Sequence, residues 1–332
     1  MQFPKKAIFA FNANIDHLVP AGEKEVETVD REYPDIASAM SECFSTGVQK
    51  EIQIDAKACG FFLSAFKSKK ITGGQAGNAA EQASALGIDC YLHSNFASEE
   101  LLGLFRHPSR IFVPTDSGFA RAGEVSPQVA GAHHFVFENP DAATRFICSF
   151  DPFPAHPESA YCEKITAELP DMKKAFVGGL HLVKTADRAR KFVSEIARWK
   201  KTSPGLEVFL EMGEFQSEGV LEVVRRELFP LADIVGLNEV ELARLGCTPE
   251  ELLGEAKCFL LHTGGSSAVY PKEKENMPAL EFARKAAAFK AGGGRCGSDA
   301  EISSCSAEFI EKPAWTVGLG DTRSCAYFMA LQ

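Results

Sequence analysis

The stretch from Lys174 to Glu211 reads KAFVGGLHLVKTADRARKFVSEIARWKKTSPGLEVFLE, and its rhythm decides the fold class. It opens on a short apolar run, Lys174–Gly178, and closes on another, Leu206–Glu211. Between them, over Ala186–Lys200, Ala189, Phe192, Val193, Ile196 and Trp199 recur at helical spacing on one side. Strand, helix and strand in such close succession predict parallel strands with the helix packed across them. The alternation continues in both directions. Ala7–Asn12, Ile88–His93, Ile234–Leu237 and Cys258–His262 are strand-like, while Gly77–Leu86, Glu218–Leu228 and Glu239–Leu245 are helix-like. An α/β protein follows, with a mainly parallel central sheet flanked by helices. Sheets of this kind bind ligands outside the carboxyl ends of their strands.

Two stretches interrupt the rhythm, one from Ile15 to Asp55 and one from Arg110 to Ser149. The second is rich in β-formers, as in Ile111-Phe112-Val113 and His134-Phe135-Val136-Phe137. Together they predict a small β-rich lid. The expected division is 1–14, 56–109 and 150–332 as the large domain, with 15–55 and 110–149 as the lid.

Bulk properties limit the function. The 332 residues are 45% hydrophobic and 24% charged, with a formal charge of −10. With a pI near 5.4, nucleic acid and anionic membranes are excluded as main partners. No apolar run reaches the roughly 20 residues of a membrane span. Met1-Gln2-Phe3-Pro4-Lys5-Lys6 leads straight into a strand without a signal-peptide pattern, so a cytoplasmic location is expected. The ten cysteines form no C-x-x-C pair, which fits reduced core residues better than disulfides or a zinc site.

The strongest chemical signal is Thr316-Val317-Gly318-Leu319-Gly320-Asp321-Thr322. Two glycines and an acid at a helix start make an anion site, because the first-turn N–H groups have no partner inside the helix. Such donors would stabilise a moving phosphoryl group, and Asp321 would accept the proton of an attacking hydroxyl. The same letters also fit an aspartate that merely caps the helix. A second motif, Thr72-Gly73-Gly74-Gln75-Ala76-Gly77-Asn78, opens another helix. Its glycines permit close approach of a polyhydroxy ligand, and Gln75 and Asn78 offer amides to hydroxyls. A tight helix-packing turn would look alike. Gly292–Gly297 spells G-x-G-x-x-G but follows a helix rather than a strand, so the dinucleotide reading fails. His133 and His134 fall on opposite faces of a strand, poor geometry for one metal. A P-loop motif is absent.

The Gly-Gly-x-Ala-x-Asn helix start and the Gly-x-Gly-Asp terminus resemble the ribokinase-like superfamily. The finer resemblance is to its ADP-dependent branch, the archaeal-type ADP-dependent glucokinases and phosphofructokinases. Five segments carry it in order: Phe11–Asp16, Gly47–Glu51, Gly73–Asn78, Val235–Glu241 and Val317–Thr322. Arg145-Phe146-Ile147 and His262-Thr263 add weaker likenesses. The resemblance implies a ribokinase-like fold and ADP as phosphoryl donor, with Mg²⁺ or another divalent cation. It implies that Asp321 is the base, with Gly318, Leu319 and Gly320 forming the anion hole. Asn14, Asp16, Glu51, Gly73, Gly74, Gln75 and Asn78 would hold the sugar, and Arg145 would reach bound phosphates. Asn238, His262, Thr263 and Gly320 would meet the nucleotide; Glu241, Glu211 and Asp321 would serve the metal. Asn238 and Glu241 also spell a capping box, and the two readings are compatible.

Two positions depart from the family pattern. Phe209 stands where members carry the histidine of His-x-Glu, and Arg323 replaces a small apolar residue after Asp321-Thr322. The chain is also shorter than typical members. The expected function is phosphoryl transfer from ADP to a hexose or hexose phosphate, of the glucokinase or 6-phosphofructokinase type. An ATP-dependent ribokinase-type enzyme and a non-catalytic sugar- or nucleotide-binding homologue are the alternatives. Partners would be small molecules alone, in a monomer or small homo-oligomer. Arg121, Lys184 and Arg295 are candidates to hold a sugar phosphate.

Overall fold

The computed structural model describes residues 1–94, 97–127, 129–141, 144–152, 162–263, 266–306, 309–310, 313 and 316–331, with the side chains of 162 and 163 left out. Its strands are β1 (Lys6–Phe11), β2 (Asn14–Pro20), β3 (Lys50–Gln53), β4 (Lys69–Gly73), β5 (Asp89–Ser94), β6 (Ile111–Thr115) and β7 (Gly118–Arg121). The later ones are β8 (His133–Asn139), β9 (Thr144–Phe150), β10 (Lys174–Val177), β11 (Glu207–Glu211), β12 (Ile234–Asn238), β13 (Phe259–His262) and β14 (Ser267–Tyr270).

Nine strands form one sheet in the order β14-β13-β12-β11-β10-β1-β5-β6-β7. All its pairs are parallel except β13–β14 and β6–β7 at the two edges. Alternation along each strand feeds two cores. Phe9, Phe176 and Phe209 meet the helices Gln75–Ala85, Met277–Gly293 and Leu319–Ala330 on one face. Ile8, Val177, Val208 and Leu210 meet Phe192, Ile196 and Trp199 of the helix Ala186–Thr202 on the other. The strands read from sequence fall within a residue or two of those found, because each is an uninterrupted apolar run covered on both faces.

A five-stranded sheet, β3-β9-β8-β2-β4, stands apart from the first. Only Asn12 and Ala13 separate β1 from β2, so the chain passes directly from one sheet to the other. One face of this sheet carries Val19, Phe135, Phe137, Phe146 and Cys148 against the helices Glu23–Asp30, Pro34–Thr46 and Ala56–Ala65. The opposite face looks onto the carboxyl ends of the large sheet.

Strand membership differs from the expected division at three places. β6 and β7, expected in the lid, close the edge of the nine-stranded sheet, where β6 pairs with β5. β4, expected in the large domain, pairs with β2 in the small sheet. The stretch 15–55, expected as part of a β-rich lid, gives that lid β2 and β3 and also the two helices Glu23–Asp30 and Pro34–Thr46. For the misplaced strands the physical reason is shared: a run of β-formers fixes a strand but not the sheet it joins.

Candidate active site

The carboxyl ends of β1, β10, β11, β12 and β13 form a floor, and the small sheet forms a roof. Two cavities lie between them. One of about 630 Å³ is lined by Asn14, Asp16, Glu51, Gly74, Gln75, Asn78, Arg145, Glu211, Glu241 and Asp321 among others. The second, about 470 Å³, is lined by Asn238, His262, Thr263, Leu319, Gly320 and Arg323, with apolar walls from Ala287, Ala288, Ala291 and Phe309. Arg145, Asn238, His262 and Gly320 belong to both.

At the floor, the helix Leu319–Ala330 begins on Gly318, whose φ of 68° is left-handed and suits glycine. Asp321 lies inside the first turn and does not cap it, so the capping reading fails. Its Oδ2 accepts from Asn78 Nδ2 at 3.1 Å. Burial, reinforced by the nearby Glu211 charge, lifts the Asp321 carboxyl to about 6 despite Lys290, His262 and Arg145. Burial and Glu211 likewise lift Glu241 to about 7. Glu211 Oε1 lies 3.1 Å from His262 Nε2, and its Oε2 is buried without a partner among the described residues. Burial acts against the charge on His262, but Glu211 and Glu241 outweigh it and raise its affinity for a proton. Asn238 does cap its helix: its Oδ1 accepts from the N–H groups of Val240 and Glu241, and Glu241 Oε2 accepts from Asn238 N–H. Among the described residues no three His, Cys, Asp or Glu side chains are grouped closely enough to hold a metal ion.

At the roof, residues of one parity along β2, β8 and β9 turn into the cleft. Asp16 and His134 are cross-strand partners, and His134 faces Ser149 on β9. Asn14 Nδ2 donates to Asp16 Oδ1 at 2.6 Å, while Asn14 Oδ1 is buried with no partner among the described residues. Burial lifts Asp16 to about 6, against the pull of His134 and Asn14. Burial also opposes the charge on His134, yet Asp151, Glu51 and Asp16 together raise it to about 9, so it keeps its proton at neutral pH. Glu51 accepts a hydrogen bond from Ser149. Gly74, at φ 76°, has no room for a Cβ, which would lie 2.5 Å from Asn14 Oδ1. Gly73 packs against the Asp16 carboxylate instead of lining the cavity.

Roof and floor touch directly. Arg145 Nη1 donates to Thr316 Oγ1 at 3.2 Å, and Thr316 donates to Glu138. Val317 packs on Leu18 and Val136.

The structure thus brings together nearly every residue singled out from sequence. Gln75 lines the cavity, but its amide is spent on the backbone, donating to Met212 O and accepting from Gly179 N–H. Phe209 stacks on Phe176 and meets a tilted Phe328, with ring centroids 5.2 and 5.3 Å away, which accounts for an aromatic at a position that faces the core. Arg323 donates to the carbonyls of Thr263 and Ser266, holding that loop against the smaller cavity. Arg121 and Arg295 pair with Glu124 and Glu301, and neither they nor Lys184 lines either of these two cavities.

Sequence reasoning missed three residues. His134 was set aside with its neighbour, and His181, which also lines the larger cavity, carried no motif. Lys290 is buried beside Asp321, contacting Asn78 and Gly318. The available signal was a lysine on an alanine-rich helix face, with Ala283, Ala286, Ala287 and Ala291 as neighbours at helical spacing.

Comparisons with known proteins bear on family and fold. The family profile described as the ADP-specific phosphofructokinase/glucokinase conserved region matches residues 5–251. A hypothetical ADP-dependent phosphofructokinase from Pyrococcus horikoshii OT3 is similar at 16% identity and a TM-score of 0.77, over 99% of this chain and 98% of that one. An ADP-dependent kinase in complex with fructose 6-phosphate and ADPβS gives 17% and 0.81, over 98% and 93%. The ribokinase of Giardia lamblia gives 11% and 0.51, over 81% and 73%. At these identities the likeness speaks for a ribokinase-like fold. No curated protein sequence matches. Among the described residues no helix is long and apolar enough to cross a membrane.

Proposed function

Because the chain belongs to the ADP-specific phosphofructokinase/glucokinase family, we propose that it transfers a phosphoryl group from ADP to a hydroxyl of an uncharged hexose. The observation that carries this reading is the meeting of two cavities at Gly320, beside a carboxylate that belongs to the larger one. The smaller cavity, with apolar walls and Arg145, His262 and Arg323 at its mouth, suits a base and a short phosphate chain. The larger one suits a polyol: Asn14 Oδ1 and the Asp16 and Glu51 carboxylates can accept hydrogen bonds from its hydroxyls. Asp321 would receive the proton of the attacking hydroxyl, while the N–H groups at Leu319 and Gly320 face the transferred phosphoryl. The small sheet and its three helices act as the lid, and closure would exclude water as a competing acceptor.

Among the described residues the floor has too few grouped side chains to cage a metal, but it suits a divalent cation held mainly by water and phosphate. Glu211 Oε2 has no partner among the described residues, and Glu241 and Asp321 are lifted by burial and then by neighbouring carboxylates, so a cation would relieve all three. Glu241 and Glu211 would hold it largely through water, as Mg²⁺ prefers. When bound it neutralises charge on the phosphate chain.

The electrostatics of the roof favour a neutral acceptor. Asp16, Glu51 and Glu214 line that end, its protonated His134 is already held by Asp151, and Arg244 is bonded to Glu218. A sugar phosphate dianion there would stand against the carboxylates. Initial rates with glucose, other hexoses and fructose 6-phosphate, each with ADP or ATP and Mg²⁺, test the reading. Turnover with ADP and a free hexose is expected. Faster turnover with fructose 6-phosphate, or with ATP, would overturn the assignment.

A further inference from the structure

Lys290 sits on the helix Met277–Gly293 with 9% of its surface exposed. An ammonium has three donors, and here each meets a neutral oxygen: Asn78 Oδ1 at 3.0 Å, Gly318 O at 3.2 Å and Thr322 Oγ1 at 3.1 Å. A buried charge whose direct hydrogen-bond partners are all neutral is costly, and a methionine would fill the same space without that cost. Packing alone therefore does not explain it.

All three acceptors belong to the proposed transfer site. With Oδ1 of Asn78 held by Lys290, the amide has one orientation left, and its Nδ2 turns to Asp321 Oδ2. Drawing the Gly318 carbonyl toward Lys290 sends the Leu319 N–H the opposite way, because C=O and N–H are antiparallel across a trans peptide. The fit is tight: a Cβ on Gly318 would lie 2.7 Å from Lys290 Nζ and closer still to Asn78 Oδ1. Thr322 ties the same ammonium to the helix that carries Asp321.

Resting on the reading above, we infer that Lys290 is a positioning residue for phosphoryl transfer, a fixed buried cation behind the anion hole that orients Asn78, the Gly318 peptide and through them Asp321. It touches neither substrate. Its charge lies where negative charge would develop at the far side of the Gly318–Asp321 turn, so the cost of burying it is recovered in the transition state.

The test compares the wild type with Lys290→Met, Lys290→Arg and Thr322→Val, measuring kcat, both KM values and the thermal midpoint of the full chain. In Lys290→Met, kcat should fall about 100-fold or more. The KM values should stay within about threefold, and the midpoint should hold or rise once the buried charge is gone. Lys290→Arg should keep more turnover than Lys290→Met. Near-normal kcat in Lys290→Met, or a loss of activity that only follows a falling midpoint, would overturn the inference. If Lys290→Met does not fold, Thr322→Val decides: it keeps the cation but loosens its seat, and unchanged kcat there refutes the role. A wild type that turns over no sugar with ADP sinks the functional reading, whereas an active wild type beside an equally active Lys290→Met sinks this inference alone.

Discussion

The floor and the roof of the cleft each hold an aspartate whose carboxyl is lifted to about 6, and for different reasons. At the roof, Asp16 is lifted by burial alone, and the protein answers with its own donors: a protonated His134 and the Asn14 amide. At the floor, Asp321 is lifted by burial and by Glu211, itself a neighbour of Glu241. Its relief comes from cations that do not bond it directly. The roof is thus electrostatically self-sufficient and suited to hold a neutral ligand. The floor is left with excess negative charge, and suits a site completed by a cation and a phosphate chain.

Removing the floor carboxylate should have the largest effect. Asp321→Asn keeps the size and the Asn78 neighbour but cannot take a proton, and kcat should fall by about 10²- to 10⁴-fold. Sugar affinity, measured by calorimetry, should change little, because the acceptor is held from the roof. Near-normal turnover would remove the distinction between the two aspartates.

Asp16→Asn should show the opposite pattern. The charged acceptor for hydroxyl protons is lost, which weakens sugar binding by about 1.5–3 kcal/mol, roughly 10- to 100-fold in KM. The effect on kcat at saturating sugar should be smaller than in Asp321→Asn. In the wild type, the KM for sugar should also rise as pH falls through about 6, where Asp16 gains its proton. A KM flat between pH 5 and 7.5, with Asp16→Asn equally flat and unshifted, would take Asp16 out of the sugar site.

The sequence disclosed the floor better than the roof. The central strands were legible because each is a continuous apolar run, and Val317–Thr322 and Asn238–Glu241 combine local conformation with chemistry in a few adjacent letters. The roof was legible only as an interruption. Whether β4 or β6 joins the small sheet depends on contacts between residues far apart in the chain, such as Asp16 with Ile71 or Cys90 with Ile111, and local letters do not encode such pairings. Lys290 and His181 were illegible for the same reason. Lys290 lies 28 residues from Gly318 and 212 from Asn78, so its helical spacing could flag burial but only the fold reveals what it meets.

Stability should separate the two regions further. Asp16 has a folded value near 6 against an ordinary 3.8, so its burial favours the protonated form. That contribution is fully present below about pH 4 and is lost as pH rises through 6, on the order of 2–3 kcal/mol for a shift of about two units. Asp16→Asn carries no such titration, so its thermal midpoint should exceed that of the wild type at pH 7, with the gap closing toward pH 4. A wild type whose midpoint does not change relative to the variant over that window would mean that Asp16 is not desolvated in solution.

The smallest expected effect concerns Asn238, where structure and chemistry overlap. As the cap of the helix Glu239–Leu245 it satisfies two N–H groups, and replacing it with alanine should cost about 1 kcal/mol, read from a denaturant midpoint. Aspartate caps as well as asparagine. It also adds a negative charge at the mouth both cavities share, beside the already crowded Glu241. Asn238→Asp should therefore retain stability yet raise the KM for ADP, while Asn238→Ala loses stability first. If both substitutions leave the KM for ADP unchanged, Asn238 is a helix cap and nothing more, and the excess negative charge of the floor does not extend to the nucleotide side.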